Sequence, residues 1–337
     1  MEMKIALFFE REDSQVRCFL CRHNCKIGEG RVGLCKVRKN IGGRLYSLNY
    51  AKLVAKNVDP IEKKPFYHFF PGSTAYSIAS WGCNFRCSFC QNWEISQAEE
   101  FEKQVGIYSQ EKPLNIVNLA KKSGCKSISY TYTEPTIFFE FALEVAELAR
   151  KEGLYNNFVT NGYISREALK EISPFLDACN VDLKSFREDF YSRLCGAKLK
   201  GVLDSIEYMK ELGIWVELTT LIIPGYNDSE QELRDICRFI ARLDREIPWH
   251  ISRFYPHYKL TDVGPTPLES LEKAYEIAKE EGLSYVYIGN IYTSYGENTY
   301  CPECGELLIE REGFYLVKKS LRDNHCPRCQ REIKGIF

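Results

Sequence analysis

The chain has 337 residues, of which 45% are apolar and 27% charged, and its net charge is −1. That supports one large domain of ~250 residues with smaller additions, and it gives no global attraction to nucleic acid or acidic membranes. The opening run MEMKIALFFEREDSQ turns charged too early for a signal peptide. No stretch reaches the ~18 uncharged apolar residues of a membrane span, so the expectation is a soluble, cytoplasmic protein.

In chain order, residues 1–74 come first, with Cys18, Cys21, Cys25 and Cys35 and the charged turn Asp59-Pro-Ile-Glu-Lys-Lys-Pro65. From 75 to 292 short β-rich runs alternate with segments of helical period. Strands are predicted over 76–81, 127–132, 156–160, 178–183, 215–222 and 250–254, with a further apolar run at 284–288. Helices are predicted over 114–122, 138–149, 166–172, 202–212, 230–243 and 268–281. In the second, Phe138, Phe141, Ala142, Val145, Leu148 and Ala149 share one face and Gly153 lies just past the end. This alternation predicts a parallel α/β sheet, and the pattern does not separate an open sheet from a partly or fully closed barrel. Either geometry places chemistry at the carboxyl ends of strands. Cys83, Glu134, Asn161, Asp182, Lys184 and His257 all follow predicted strand ends. Residues 293–337 form a last module. Neither outer segment has the apolar periodicity for a core of its own, and a bound metal would supply the missing stability.

Fifteen cysteines is an unusual number for a long chain. Disulfide frameworks belong to short secreted domains, whereas these cysteines are clumped at x2 and x3 spacings that suit convergence on metal. Cys125, Cys179, Cys195 and Cys237 stand apart and read as buried packing residues. In Trp81-Gly-Cys83-Asn-Phe-Arg-Cys87-Ser-Phe-Cys90 only three ligands are present and no histidine is near. Structural zinc sites and closed cubane clusters take four protein ligands. Three thiolates on a four-iron cluster leave one iron open to substrate. Zinc completed from elsewhere in the fold is the plainer alternative.

Cys83-x3-Cys87-x2-Cys90 after a strand resembles the signature of the radical SAM superfamily. The resemblance implies a 4Fe–4S cluster that reductively cleaves S-adenosylmethionine (SAM) to a 5′-deoxyadenosyl radical, which abstracts hydrogen from a substrate; the cofactor carries the hard chemistry. Glu134, in Tyr-Thr-Glu-Pro, matches the acid of the family's Gly-Gly-Glu-Pro, with Tyr132 and Thr133 in place of the glycines. A charge capping the following helix is its structural alternative. Val159-Thr-Asn161-Gly and Asn180-Val-Asp182-Leu-Lys184 resemble motifs of glycyl-radical activating enzymes, and Phe254-Tyr-Pro-His257 their histidine segment. The resemblance thus implies SAM-binding roles for Glu134, Asn161, Asp182, Lys184 and His257. For Asp182 and Lys184 the plainer alternative is a surface ion pair.

Cys301-x2-Cys304 and Cys326-x2-Cys329 suit a zinc ribbon, and a rubredoxin-like iron site would use the same ligands. Seven Lys/Arg against seven Asp/Glu in residues 296–337 argue against a phosphate-binding face. Cys18-x2-Cys21-x3-Cys25-x9-Cys35 suits a second zinc site, with an auxiliary iron–sulfur cluster as the rival.

Together with the run Gln91–Gln97 and the Asp-Pro-Ile-Glu-Lys-Lys-Pro turn, nearly the whole chain resembles the AmmeMemoRadiSam system radical SAM enzymes, relatives of pyruvate formate-lyase activating enzyme. The resemblance implies a radical SAM partial (β/α)6 barrel, association with Memo and AMMECR family proteins, and an electron donor such as ferredoxin or flavodoxin. Activation of a glycyl-radical enzyme is the named special case. A non-catalytic iron–sulfur and zinc protein of electron transfer or assembly is the alternative, and it would have no use for a SAM pocket.

Overall fold

The computed structural model describes residues 3–97, 108–293 and 295–337. Eight strands form its central sheet: β1 (Ala55–Pro60), β2 (Thr74–Ala79), β3 (Ser127–Tyr130), β4 (Tyr155–Thr160), β5 (Ala178–Asp182), β6 (Trp215–Ile222), β7 (Trp249–Arg253) and β8 (Val286–Gly289). Their spatial order is their chain order. Strands β2 to β8 pair in parallel, and β1 adds an antiparallel edge on β2. Between the parallel strands lie α1 (Pro113–Lys122), α2 (Phe139–Lys151), α3 (Arg166–Ile172), α4 (Leu199–Glu211), α5 (Glu230–Leu243) and α6 (Leu268–Glu280). This is an α/β fold of six strand–helix units and a final strand. Because β1 and β8 do not pair, the sheet is open.

Local sequence explains these elements. Strand β3 is buried at every position, as a parallel strand covered on both faces should be. Ser165 caps α3 through the Ala168 N–H, and Ser229 caps α5 through that of Glu232. Helix α2 ends before Gly153, whose φ is +75°. Predicted elements and observed ones agree within a few residues. Strand 76–81 lies two residues earlier, because residues 80–82 leave the sheet; Ser80 Oγ bonds the carbonyls of Asn49 and Lys52 instead.

The N-terminal segment forms two small antiparallel sheets, one of Lys4–Ile5, Arg44–Ser47 and Arg38–Ile41, the other of Phe9–Glu12, Gln15–Cys18 and Cys25–Gly28. Val16, Leu20, Ile27, Val37 and Leu45 are buried in the same apolar core as the central sheet. A fully buried Arg38–Glu140 ion pair ties the segment to α2. The C-terminal module, with strands Thr299–Tyr300, Leu307–Glu312 and Tyr315–Lys319, packs Leu308, Ile309 and Ile333 against Tyr67, Tyr285 and Tyr287. Among the described residues no helix is long and apolar enough to cross a membrane.

Candidate active site

Strand β2 delivers the chain into the cysteine loop through Gly82. Its φ of +95° suits glycine, and a Cβ there would meet the Cys35 carbonyl and Val37 Cγ1 at 2.9 Å. The loop is then held on both sides. Arg86 N–H donates to the Cys195 carbonyl at 2.7 Å, Ser88 N–H to that of Leu194 at 2.9 Å, and Lys259 N–H to the Ser88 carbonyl at 2.9 Å. Cys83, Cys87 and Cys90 face a cavity of about 440 Å³. Its wall is completed by residues at the carboxyl ends of β3 to β7, among them Thr131, Val159, Asp182, Leu221 and Ser252. Five neighbouring strands reach one cavity, so the sheet curls around it.

Glu134, Asn161, Asp182 and Lys184 line this same cavity. The Glu134 carboxylate is 1% exposed and accepts from Thr136 N–H at 3.1 Å, Thr136 Oγ1 at 2.6 Å, Thr160 Oγ1 at 2.8 Å and Asn161 N–H at 2.8 Å. Burial raises its pKa, and those donors oppose the rise. Glu134 therefore both caps the turn Pro135–Phe138 and borders the cavity. Asn161 Nδ2 donates to Asn84 Oδ1 at 2.8 Å and lies 3.7 Å from Cys83 Sγ. Lys184 Nζ lies 2.9 Å from Asp182 Oδ2, while Leu183 between them is buried. Burial works against the Lys184 charge, but the Asp182 carboxylate, joined by Cys87 and Cys195 in their thiolate forms, outweighs it and holds the ammonium. His257 lies on the turn after β7, with its N–H on the Leu260 carbonyl at 3.2 Å, and is not among the residues lining the cavity.

Tyr132, at a position where the family motif has glycine, takes the left-handed conformation that a glycine would, with φ of +63°. Its hydroxyl bonds Asp59 and its ring lies 4.1 Å from the ammonium of Lys64. Lys63 and Lys64 also line the cavity, and sequence reasoning missed them as site residues. The doubled lysine in the charged turn was the available signal. Lys64 is 2% exposed and paired with Asp59 at 2.7 Å; burial brings its pKa down to about 8 against the pull of Asp59.

The fit to an iron–sulfur cluster rests on the donor set. Three thiols converge on one wall, flanked by the buried Phe85 and Phe89, with the remaining face open to the cavity. Burial raises the pKa of Cys83 well above the ordinary thiol range and raises that of Cys90; Cys87 is raised first by its hydrogen bond to Cys195. Ligation by a cation would reverse this preference and release the protons. Cys195, read as a packing residue, is fully buried beside Cys87 and does not border the cavity.

Elsewhere, the thiols of Cys301, Cys304, Cys326 and Cys329 all lie within 4.8 Å of one another, a group fit to hold a metal ion. Cys18, Cys21, Cys25 and Cys35 line a separate small void. None of the fifteen cysteines is in a disulfide.

Comparison with known proteins agrees with this geometry. Residues 78–240 match the radical SAM superfamily model. The uncharacterized protein MJ0808 of Methanocaldococcus jannaschii is 48% identical, over 99% of this chain and 100% of that protein. The putative glycyl-radical enzyme activating enzyme MJ1632 of the same organism is 26% identical, over 66% of this chain and 81% of its own. Among solved structures, a radical SAM methyltransferase from Sphaerobacter thermophilus shares the fold, with a TM-score of 0.50 and 18% identity over 71% of each chain. The chain belongs to the radical SAM superfamily and is a radical SAM enzyme, distantly related to the activating enzymes of pyruvate formate-lyase.

Proposed function

We propose that Cys83, Cys87 and Cys90 hold the 4Fe–4S cluster and that Glu134, Asn161, Asp182 and Lys184 serve SAM in this cavity; His257, which lies outside the cavity wall, is proposed for the same role on the family resemblance alone. The observation that carries this reading is the meeting of three loop thiols, a buried carboxylate and the Asp182–Lys184 pair on one cavity. When bound, the reduced cluster supplies an electron that splits SAM into methionine and a 5′-deoxyadenosyl radical. The protein's own residues position and shelter. Glu134 offers a carboxylate to the SAM ammonium, Asp182 and Lys184 offer one group of each sign, and Phe85 and Phe89 keep water from the thiols. The same cavity would admit the protein or small-molecule substrate from which a hydrogen atom is to be taken. Activation of a glycyl-radical enzyme is the special case favoured by the relationship to MJ1632.

The resemblance to the AmmeMemoRadiSam system supports Memo and AMMECR family proteins as partners and a ferredoxin or flavodoxin as electron donor, in the cytoplasm. Zinc is proposed for Cys301, Cys304, Cys326 and Cys329, whose two knuckles suit a tetrahedral ion. The test is anaerobic reconstitution, reduction with dithionite and addition of SAM. 5′-Deoxyadenosine is expected from the wild type and none from Cys87→Ala. A protein with a full cluster that neither binds nor cleaves SAM would overturn the reading.

A further inference from the structure

The cysteine groups differ in how closely they gather. In the C-terminal group, Cys301 Sγ lies 3.5 Å from Cys329 Sγ and Cys304 Sγ 3.6 Å from Cys326 Sγ. A tetrahedral ion with metal–sulfur bonds of ~2.3 Å holds its thiolates ~3.8 Å apart. This group has single-ion dimensions. Among the described residues it is the only set of three or more Cys, His, Asp or Glu whose ligand atoms all lie within 4.8 Å of one another. No three thiols of the N-terminal group are so gathered, and neither are Cys83, Cys87 and Cys90.

The triplet provides an internal standard, because its place in the radical SAM fold gives it a four-iron cluster. Such a cluster spans several bonds and holds its thiolates further apart than one ion can. The N-terminal group shares with the triplet the absence of any three thiols within 4.8 Å of one another. Cys18 and Cys25 face each other across a hairpin, Cys21 sits in an isolated bridge to Ile164, Cys35 comes from a turn, and all four residues border one void of about 20 Å³. The void itself has room for about one water-sized group, and what separates this group from a single-ion site is that no three of its thiols lie within 4.8 Å of one another. Its wall includes buried Leu20, Ile27 and Ile137, which would shield a cluster from solvent. Arg38, 1% exposed with Nη1 4.0 Å from Cys18 Sγ, places a positive charge against the thiolates.

The void lies directly behind the triplet loop. Asn84, the neighbour of Cys83, forms part of its wall and accepts from Asn161 at 2.8 Å. His23 Nε2 lies 2.7 Å from the Asn84 carbonyl. Gly82 approaches the Cys35 carbonyl closely, and the Arg86 guanidinium donates to the Leu34 carbonyl, so the two loops touch at further points.

We propose that Cys18, Cys21, Cys25 and Cys35 ligate a second 4Fe–4S cluster, closed to SAM by its four protein ligands and stacked behind the first. The proposal rests on the reading of the triplet as the SAM cluster. It is tested in full-length protein with Cys83, Cys87 and Cys90 all changed to alanine and reconstituted anaerobically. About four irons per chain are expected, with an electron paramagnetic resonance signal after reduction that SAM does not alter. An iron-free product carrying about two zinc ions per chain overturns the proposal. In the converse variant, Cys21→Ser with Cys35→Ser, iron should fall to about half that of the wild type while the remaining signal still shifts with SAM. Unchanged iron there also overturns it. If the converse variant does not fold, the alanine triplet variant decides alone. Failure of SAM cleavage in a wild type that holds both clusters would strike the activity and leave this assignment standing.

Discussion

Glu134 shows how much one buried side chain can be asked to do. Its two oxygens receive four protein donors, one oxygen facing the Thr136 N–H and the other the Asn161 N–H. In Glu134→Gln, either orientation of the amide turns its NH2 against one of those N–H groups. The variant should therefore lose about 2 kcal/mol of stability, read by urea unfolding, and bind SAM at least about tenfold more weakly, read by titration. Undiminished SAM affinity would remove Glu134 from the site. The acid itself was legible in the sequence because Glu-Pro follows a strand. The conformation of the residue before Thr133 was not, since tyrosine stands where the motif has glycine. The left-handed turn is kept, and the strain of ~1 kcal/mol is offset by contacts of the ring and hydroxyl with Lys64 and Asp59. Those partners lie more than sixty positions away, beyond the reach of any local pattern.

At the scale of elements, strands and helices were legible because period and caps are local, whereas the couplings between elements were not. Ser229-Glu-Gln-Glu232 has the form of a capping box, yet the Glu232 carboxylate bonds Ser185 Oγ and the Phe186 N–H across the molecule. A longer coupling joins the C-terminal module to the charged turn. Arg311 and Glu62 are both fully buried, 3.6 Å apart, and Arg311 also donates to the carbonyls of Tyr67 and Glu297. Glu62 immediately precedes Lys63 and Lys64 of the cavity wall. Arg311→Met leaves the buried Glu62 carboxyl without its counter-charge and with the Gly72 N–H as its remaining partner, so a loss of about 3–5 kcal/mol is expected. Adding Glu62→Leu should recover much of it. Thermal unfolding of the single and double variants measures both, and equal stabilities would show that the pair contributes nothing.

For the whole molecule, acid stability depends on the seam between sheet and C-terminal module. His68 is fully buried, bonded to the Lys334 carbonyl and the Tyr287 hydroxyl at 2.7 Å each, and burial lowers its pKa to about 4. In the unfolded chain a histidine titrates near 6.5. Above that value both states are neutral and the group is silent. As pH falls from about 6.5 to 4 the unfolded state takes up the proton first, and stability should drop by roughly 3 kcal/mol. Glu217, whose carboxyl is held below its usual range despite burial by His250, His68 and the Tyr67 N–H, adds a further loss at lower pH. Urea midpoints across this range measure the fall, and His68→Gln should flatten its upper part. An unchanged profile in that variant would place the dependence elsewhere.

The agreement between chain order and strand order has a temporal consequence. Each new strand–helix unit meets the edge left by the one before it, so the sheet can lengthen in one direction as the polypeptide leaves the ribosome. The cysteine loop is made early, but the strands that wall its cavity arrive one by one. The seam at Tyr67, His68 and Phe70 waits longest, because its partners Arg311, Lys334 and Ile336 are synthesised last. Until then the loop thiols stand at the margin of a half-built sheet, which is the interval in which inorganic iron and sulfide have the freest access to them.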